Sequence, residues 1–72
     1  MSKQLDPLIQ RLIDRLNHQD PVARRNAAGA LRLHGSRASV AIPQLSRLLS
    51  DEDSRVREEA QRALERLRSA AA

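Results

Sequence analysis

Apolar residues return along this chain at helical spacing. Leu5, Leu8, Ile9, Leu12, Ile13 and Leu16 follow an i, i+3, i+4, i+7 pattern, which puts them on one helix face. Asp6-Pro7 supplies an N-cap and a proline at the first helical position. The pattern predicts a first helix from about Pro7, or one turn earlier, to Asn17. Asp20-Pro21 repeats the start signal, and Gly35 suits a left-handed C-terminal cap, so a second helix is expected over Pro21 to His34. A third should open at Ser36 or Ser39 and end near Ser50, with Pro43 early enough to cost little. Asp53 caps a fourth, which runs to about Ser69, leaving Ala70, Ala71 and Ala72 to fray. The connecting turns are short, so each pair of helices forms an antiparallel hairpin.

The pattern also repeats on a longer scale. Asp20, Arg24, Ala27, Ala30 and Leu31 recur 33 positions later as Asp53, Arg57, Ala60, Ala63 and Leu64. Ile9, Leu12 and Leu16 recur at the same offset as Ile42, Leu45 and Leu49. A fixed period of this size marks a helical array, in which each unit buries its apolar face by stacking on its neighbour. The expected organisation is one domain over residues 1–72, with repeat one at about 5–35 and repeat two at about 36–69. Recurrent Ala27, Ala30, Ala60 and Ala63 should let helix backbones approach closely, while Leu31 and Leu64 fill the space between paired helices.

The segments Asp20-Pro21-x-x-Arg24-x-x-Ala27-Ala28-x-Ala30-Leu31 and Asp53-x-x-Val56-Arg57-x-x-Ala60-x-x-Ala63-Leu64 resemble HEAT repeats. The closest subtype is the short HEAT-like repeat also seen in phycobilisome lyases, and Ala41-Ile42-Pro43-Gln44-Leu45 resembles the start of its first helix. The resemblance implies an all-α fold: two stacked HEAT-like hairpins, four helices in all, forming an α-α superhelix. It also implies a structural ladder of Asp20, Arg24, Asp53 and Arg57, in which the turn Asp meets the Arg near the start of the next helix, sometimes across repeats. The second helix of each repeat lines the concave side in this family. Its exposed positions, Arg25, Arg32, Glu58, Arg62 and Glu65, are therefore the candidate partner-binding face.

The two copies differ in an ordered way. Ile13, Val22, Ala28, Gly29 and Leu33 become Ser46, Arg55, Gln61, Arg62 and Arg66. Conversely, Arg15 and His34 become Leu48 and Leu67. This reads as a buried seam between the repeats, including Leu33 and Leu67, with polar faces at both ends. Arg across a dry interface is costly, so a monomer is expected in preference to a homodimer.

Composition narrows the function. The 72 residues include no Cys, Phe, Tyr or Trp, so there is no disulfide or thiolate site and the core must be aliphatic. No apolar run approaches a membrane span, and the N-terminus lacks a signal-like stretch, so no membrane association and a cytoplasmic location are expected. His18 and His34 lie 16 residues apart, without the spacing of a metal site, and two glycines cannot make a phosphate loop. No catalytic constellation is evident, so neither an enzyme nor a cofactor is expected.

Twelve Arg and one Lys give a net charge of +4, but acids and bases alternate, as in Asp51-Glu52-Asp53-Ser54-Arg55-Val56-Arg57-Glu58-Glu59. The mixed signs favour a protein or peptide partner, with the chain acting as a small scaffold, adaptor or regulator. Arg-mediated binding to a nucleic-acid backbone is the alternative, since guanidinium suits phosphate, although without aromatics there is no stacking platform for single strands. A chromophore-lyase role is disfavoured because the chain is too short to enclose a bilin. A designed or reconstructed minimal repeat protein without a native partner also fits the clean repetition.

Overall fold

The computed structural model describes residues 6–71; Leu5 and Ala72 lie outside the described residues. Regular structure among them is entirely helical: α1 (Pro7–Arg15), α2 (Pro21–His34), α3 (Ile42–Arg47) and α4 (Ser54–Ala71), with 3-10 segments at Gly35–Ala41 and Leu48–Ser50. Asp6 and Asp20 cap α1 and α2 by accepting from the backbone N–H of Leu8 and Val22, at 2.8 and 2.9 Å. Each is followed by a proline whose missing N–H needs no partner there. α2 ends at Gly35, whose φ of 62° is one that residues with a Cβ rarely adopt. α1 stops at Arg15, two residues short of the expected Asn17. α4 runs through Ala71, past the point at which fraying was expected.

The expectation of four full helices is corrected. Three helices are regular, and the third segment is a composite of 3-10, α and 3-10 turns around the six-residue α3. Pro43 explains the first break. Its ring nitrogen carries no hydrogen, so it cannot close an α-type bond to the Ser39 carbonyl. The N–H of Ile42 takes that carbonyl instead, one residue earlier, which is the 3-10 pattern. Ser36, Ser39 and Val40 add poor helix propensity to the same stretch.

The core is aliphatic and continuous across both hairpins. Ile9, Ile13, Leu16, Leu31, Leu45, Val56, Leu64 and Leu67 are buried together with Ala27, Ala28, Ala60 and Ala63. No whole polar or charged residue is buried among the described residues. α4 packs on α2 and along the composite segment, while α1 packs on α2. Three of the four recurrent alanines are buried as expected; Ala30 is only half-buried.

The differences between the copies divide in a way the repeat pattern alone did not reveal. Ile13 and Ala28 are buried, but Val22 is 37% exposed and Leu33 is 76% exposed. Leu33 therefore does not share a seam with fully buried Leu67. It sits on the outer edge of α2, so Arg55 and Arg66, which stand where the first copy has Val22 and Leu33, do not cover the position of a following repeat.

Candidate functional site

The turn before each second helix holds a polar lattice. Arg24, near the start of α2, reaches across to the second hairpin. Its Nε and Nη2 donate to Asp51 Oδ2 and Oδ1 at 2.9 and 3.0 Å. Its Nη1 donates to the carbonyls of His18 and Gln19 at 2.7 and 2.9 Å. The pair is largely shielded, with side chains 13% and 8% exposed. Arg57 repeats part of this arrangement, donating from Nη1 to the Asp51 carbonyl at 2.7 Å.

The expected ladder is thus corrected in its partners. Arg24 pairs with Asp51 rather than with Asp20, which caps α2. Asp53 caps α4, accepting from the Arg55 N–H at 2.8 Å, and pairs with the Arg55 guanidinium at 2.9 Å. Arg57 meets a carbonyl, not Asp53.

These contacts set the acidities. The Arg55 side-chain hydrogen bond leads in holding Asp53 down at about 2, with the N–H groups of Arg55 and Val56 assisting. For Asp51, burial opposes the charge most strongly. The hydrogen bonds from Arg24 and from the Asp53 backbone, with the Arg24 charge, still leave it below its ordinary value.

Four of the five residues expected on the binding face line two grooves, and Arg62 lies beside Glu59. Arg25 and Arg32 line a shallow groove of about 350 Å³ on the α2–α4 surface, with Asn26, Gly29, Ala30, Leu33 and Glu59. Arg32 donates from Nε to Glu59 Oε2 at 2.8 Å, and Arg62 lies 3.8 Å from Glu59 Oε1. Glu58 and Glu65 line a different groove of about 580 Å³, with Leu49, Arg57, Gln61, Leu64 and Arg68.

Sequence reasoning missed Asp51, Glu59 and exposed Leu33 as parts of these surfaces. It also missed His18, whose Nδ1 accepts from the Asp20 N–H at 3.0 Å, as Asp51 Oδ1 accepts from the Asp53 N–H at 2.9 Å. His18 and Asp51 are separated by the same 33 positions as the other recurring residues, so the period itself carried that signal.

Among the described residues, no group of three or more His, Cys, Asp or Glu is placed to hold a metal ion. No helix there is long and apolar enough to cross a membrane.

Stacked helical hairpins, small residues at the helix contacts and an arginine latch in the turn define a helical-repeat protein. The family model for HEAT repeats matches residues 7–72, and the chain belongs to that family. No curated protein and no solved structure matches it.

Proposed function

We propose that this chain is a non-catalytic protein-interaction module, a small adaptor or regulator that binds a protein or peptide on the α2–α4 surface. The observation that carries this reading is Leu33. It is 76% exposed, has no role in the core, and lies in a groove with Arg25, Arg32 and Asn26. An apolar side chain beside the Arg25 guanidinium and the Asn26 amide, with Arg32 held by Glu59, suits a segment with one apolar anchor and a flanking acid or carbonyl. Membership of the HEAT family supports a protein partner, since such repeats commonly mediate protein–protein interaction. The turn motif supports placement with the short repeats that phycobilisome lyases also contain, without implying lyase chemistry.

Backbone binding to nucleic acid is the weaker reading. Arg24, Arg32, Arg37, Arg55 and Arg62 all lie within salt-bridge distance of carboxylates. Much of the positive charge is therefore compensated within the chain rather than arrayed for phosphate.

A displayed peptide library selected on the wild-type chain tests the proposal. Enriched peptides should bind in fluorescence anisotropy and lose binding to Leu33→Ser and Arg25→Ser. Peptides indifferent to both substitutions would refute this surface. A labelled DNA duplex should bind more weakly, with affinity falling steeply as salt rises; tight, salt-steep DNA binding would favour the alternative.

A further inference from the structure

The two hairpins are bridged twice, and the bridges are built differently. Arg24 grips Asp51 with two hydrogen bonds and is backed by two carbonyls. Arg32 meets Glu59 through Nε alone, at 2.8 Å, with 38% of its side chain exposed. Among the described residues, its terminal nitrogens donate no hydrogen bond. Arg62 lies 3.8 Å from Glu59 Oε1, too far for a hydrogen bond, and that oxygen accepts none among the described residues. Arg25 makes only a long 3.4 Å contact with Asn26 Oδ1. Among the described residues, the only carboxylate within salt-bridge distance of these three arginines is that of Glu59. Positive charge is therefore in excess in and beside the groove that holds exposed Leu33.

Glu59 lies in that groove, not behind it. It comes from α4 and sets its carboxylate over Gly29, where a Cβ would stand 3.3 Å from Oε2. The shape of the groove restricts what else fits. Arg25 and Leu33 are eight residues apart on α2, about 12 Å along a helix axis. A volume of about 350 Å³ spread over that length makes a channel roughly 5–6 Å across. That is narrower than a helix, at ~10 Å, and suits an extended chain, whose backbone can come close over Gly29 and Ala30.

We propose that Glu59 is an internal stand-in for a partner's carboxylate, and that the groove takes an extended acidic protein segment with an aliphatic side chain on Leu33 and an acid received by Arg62 and the terminal nitrogens of Arg32. A second acid three residues away reaches Arg25, since seven residues of helix and three of strand both span about 10 Å. Glu59 makes the surface selective. It already neutralises part of the cluster, so a segment without an acid gains nothing from the arginines, while a segment with one takes up the charge that Glu59 leaves over. Among the described residues this chain has no extended run to offer a second copy of itself. The assignment rests on the α2–α4 surface being the docking surface, and it adds the charge and conformation of what docks.

Two displayed peptide libraries provide the probes. Both carry one fixed leucine and are otherwise random, but one admits Asp and Glu while the other replaces them with Asn and Gln. Selected on the wild-type chain, binders that depend on Leu33 should come from the acid-containing library. In fluorescence anisotropy, Glu59→Gln should tighten those binders about threefold, the size of one unit charge acting through water at on the order of 6 Å. That substitution keeps the shape of the side chain and an acceptor for Arg32, so only the charge is removed. The same peptides with Gln in place of Glu should bind more weakly and should not respond to Glu59→Gln. Unchanged or weaker binding of the acidic peptides to Glu59→Gln would overturn the proposal. Should that variant not fold by circular dichroism, Arg62→Gln decides, because its side chain is 68% exposed and holds no hydrogen bond among the described residues. It should weaken the acidic peptides about threefold and leave the neutral ones alone; indifference overturns the proposal. Binders that depend on Leu33 but emerge equally from the acid-free library would overturn it as well, and would leave the interaction surface itself standing. No binder dependent on Leu33 from either library would sink both.

Discussion

Arg24 and Asp51 join the two hairpins through paired hydrogen bonds of 2.9 and 3.0 Å, in a setting where the side chains are only 13% and 8% exposed. Because Arg24 also binds the carbonyls of His18 and Gln19, one side chain fixes both its own turn and the next hairpin's turn. Removing Asp51 strands a shielded guanidinium and frees the Asp53 N–H. Asp51→Ala is expected to cost about 2 kcal/mol, the scale of charge-assisted bonds lost from a sheltered site. Urea unfolding followed by far-UV circular dichroism measures it. A loss below about 0.5 kcal/mol, typical of exposed pairs, would show that the bridge is solvent-screened.

Acid should weaken the fold through the same turn. Asp53 is held at about 2 and Asp51 below its ordinary value, which is 3.8 for each. Both are depressed carboxylates, so their contribution is complete above the unfolded-state pKa and declines as pH falls from there through the folded-state values. The predicted window lies below about pH 5 and reaches to about pH 2. Thermal melts across that range should show a falling midpoint, and Asp53→Asn should flatten the slope. A slope unchanged by Asp53→Asn would contradict the assignment.

Gly29 lies inside α2, and a Cβ there would come within 3.3 Å of Glu59 Oε2. The contact is with the tip of a flexible side chain, which must give by a few tenths of an ångström. The helix gains about 0.5–1 kcal/mol when glycine becomes alanine at an interior position. Gly29→Ala should therefore raise the urea midpoint. A lower midpoint would mean that the Arg32–Glu59 pair holds the carboxylate rigidly.

Ala60 is 0% exposed and belongs to the aliphatic core. Ala60→Leu adds three heavy atoms with nowhere to go, and overpacking of this kind costs about 1–3 kcal/mol. An unchanged denaturation midpoint would show slack in the core.

The helix starts and stops were legible because they depend on local chemistry. Asp6-Pro7, Asp20-Pro21, Gly35 and Asp53 act within a turn of themselves, and all four mark boundaries in the structure. The core face of α1 was legible from its spacing for Ile9, Ile13 and Leu16, all buried. The lateral orientation of Leu33 was not, because a repeat offset shows that two positions are equivalent without saying which way they point. The pairing of Arg24 with Asp51 was hidden for a related reason. Asp20 is the nearer carboxylate in sequence, but it caps α2, while Asp53 both caps α4 and pairs with Arg55.

The composite third segment has a mechanical consequence. A 3-10 turn rises about 2.0 Å per residue against 1.5 Å in an α-helix, and its hydrogen bonds are less well aligned. Gly35–Ala41 connects the hairpins, so backbone that is more stretched and more weakly bonded than an α-helix lies at their joint. Under load across the molecule, elastic give is expected to concentrate there while α2 and α4 remain straight. Amide exchange would reveal the compliance at rest: Arg37 to Ala41 should exchange through openings smaller than global unfolding, ahead of the interior amides of α4. Equal protection in both stretches would instead describe a joint as stiff as the helices it connects.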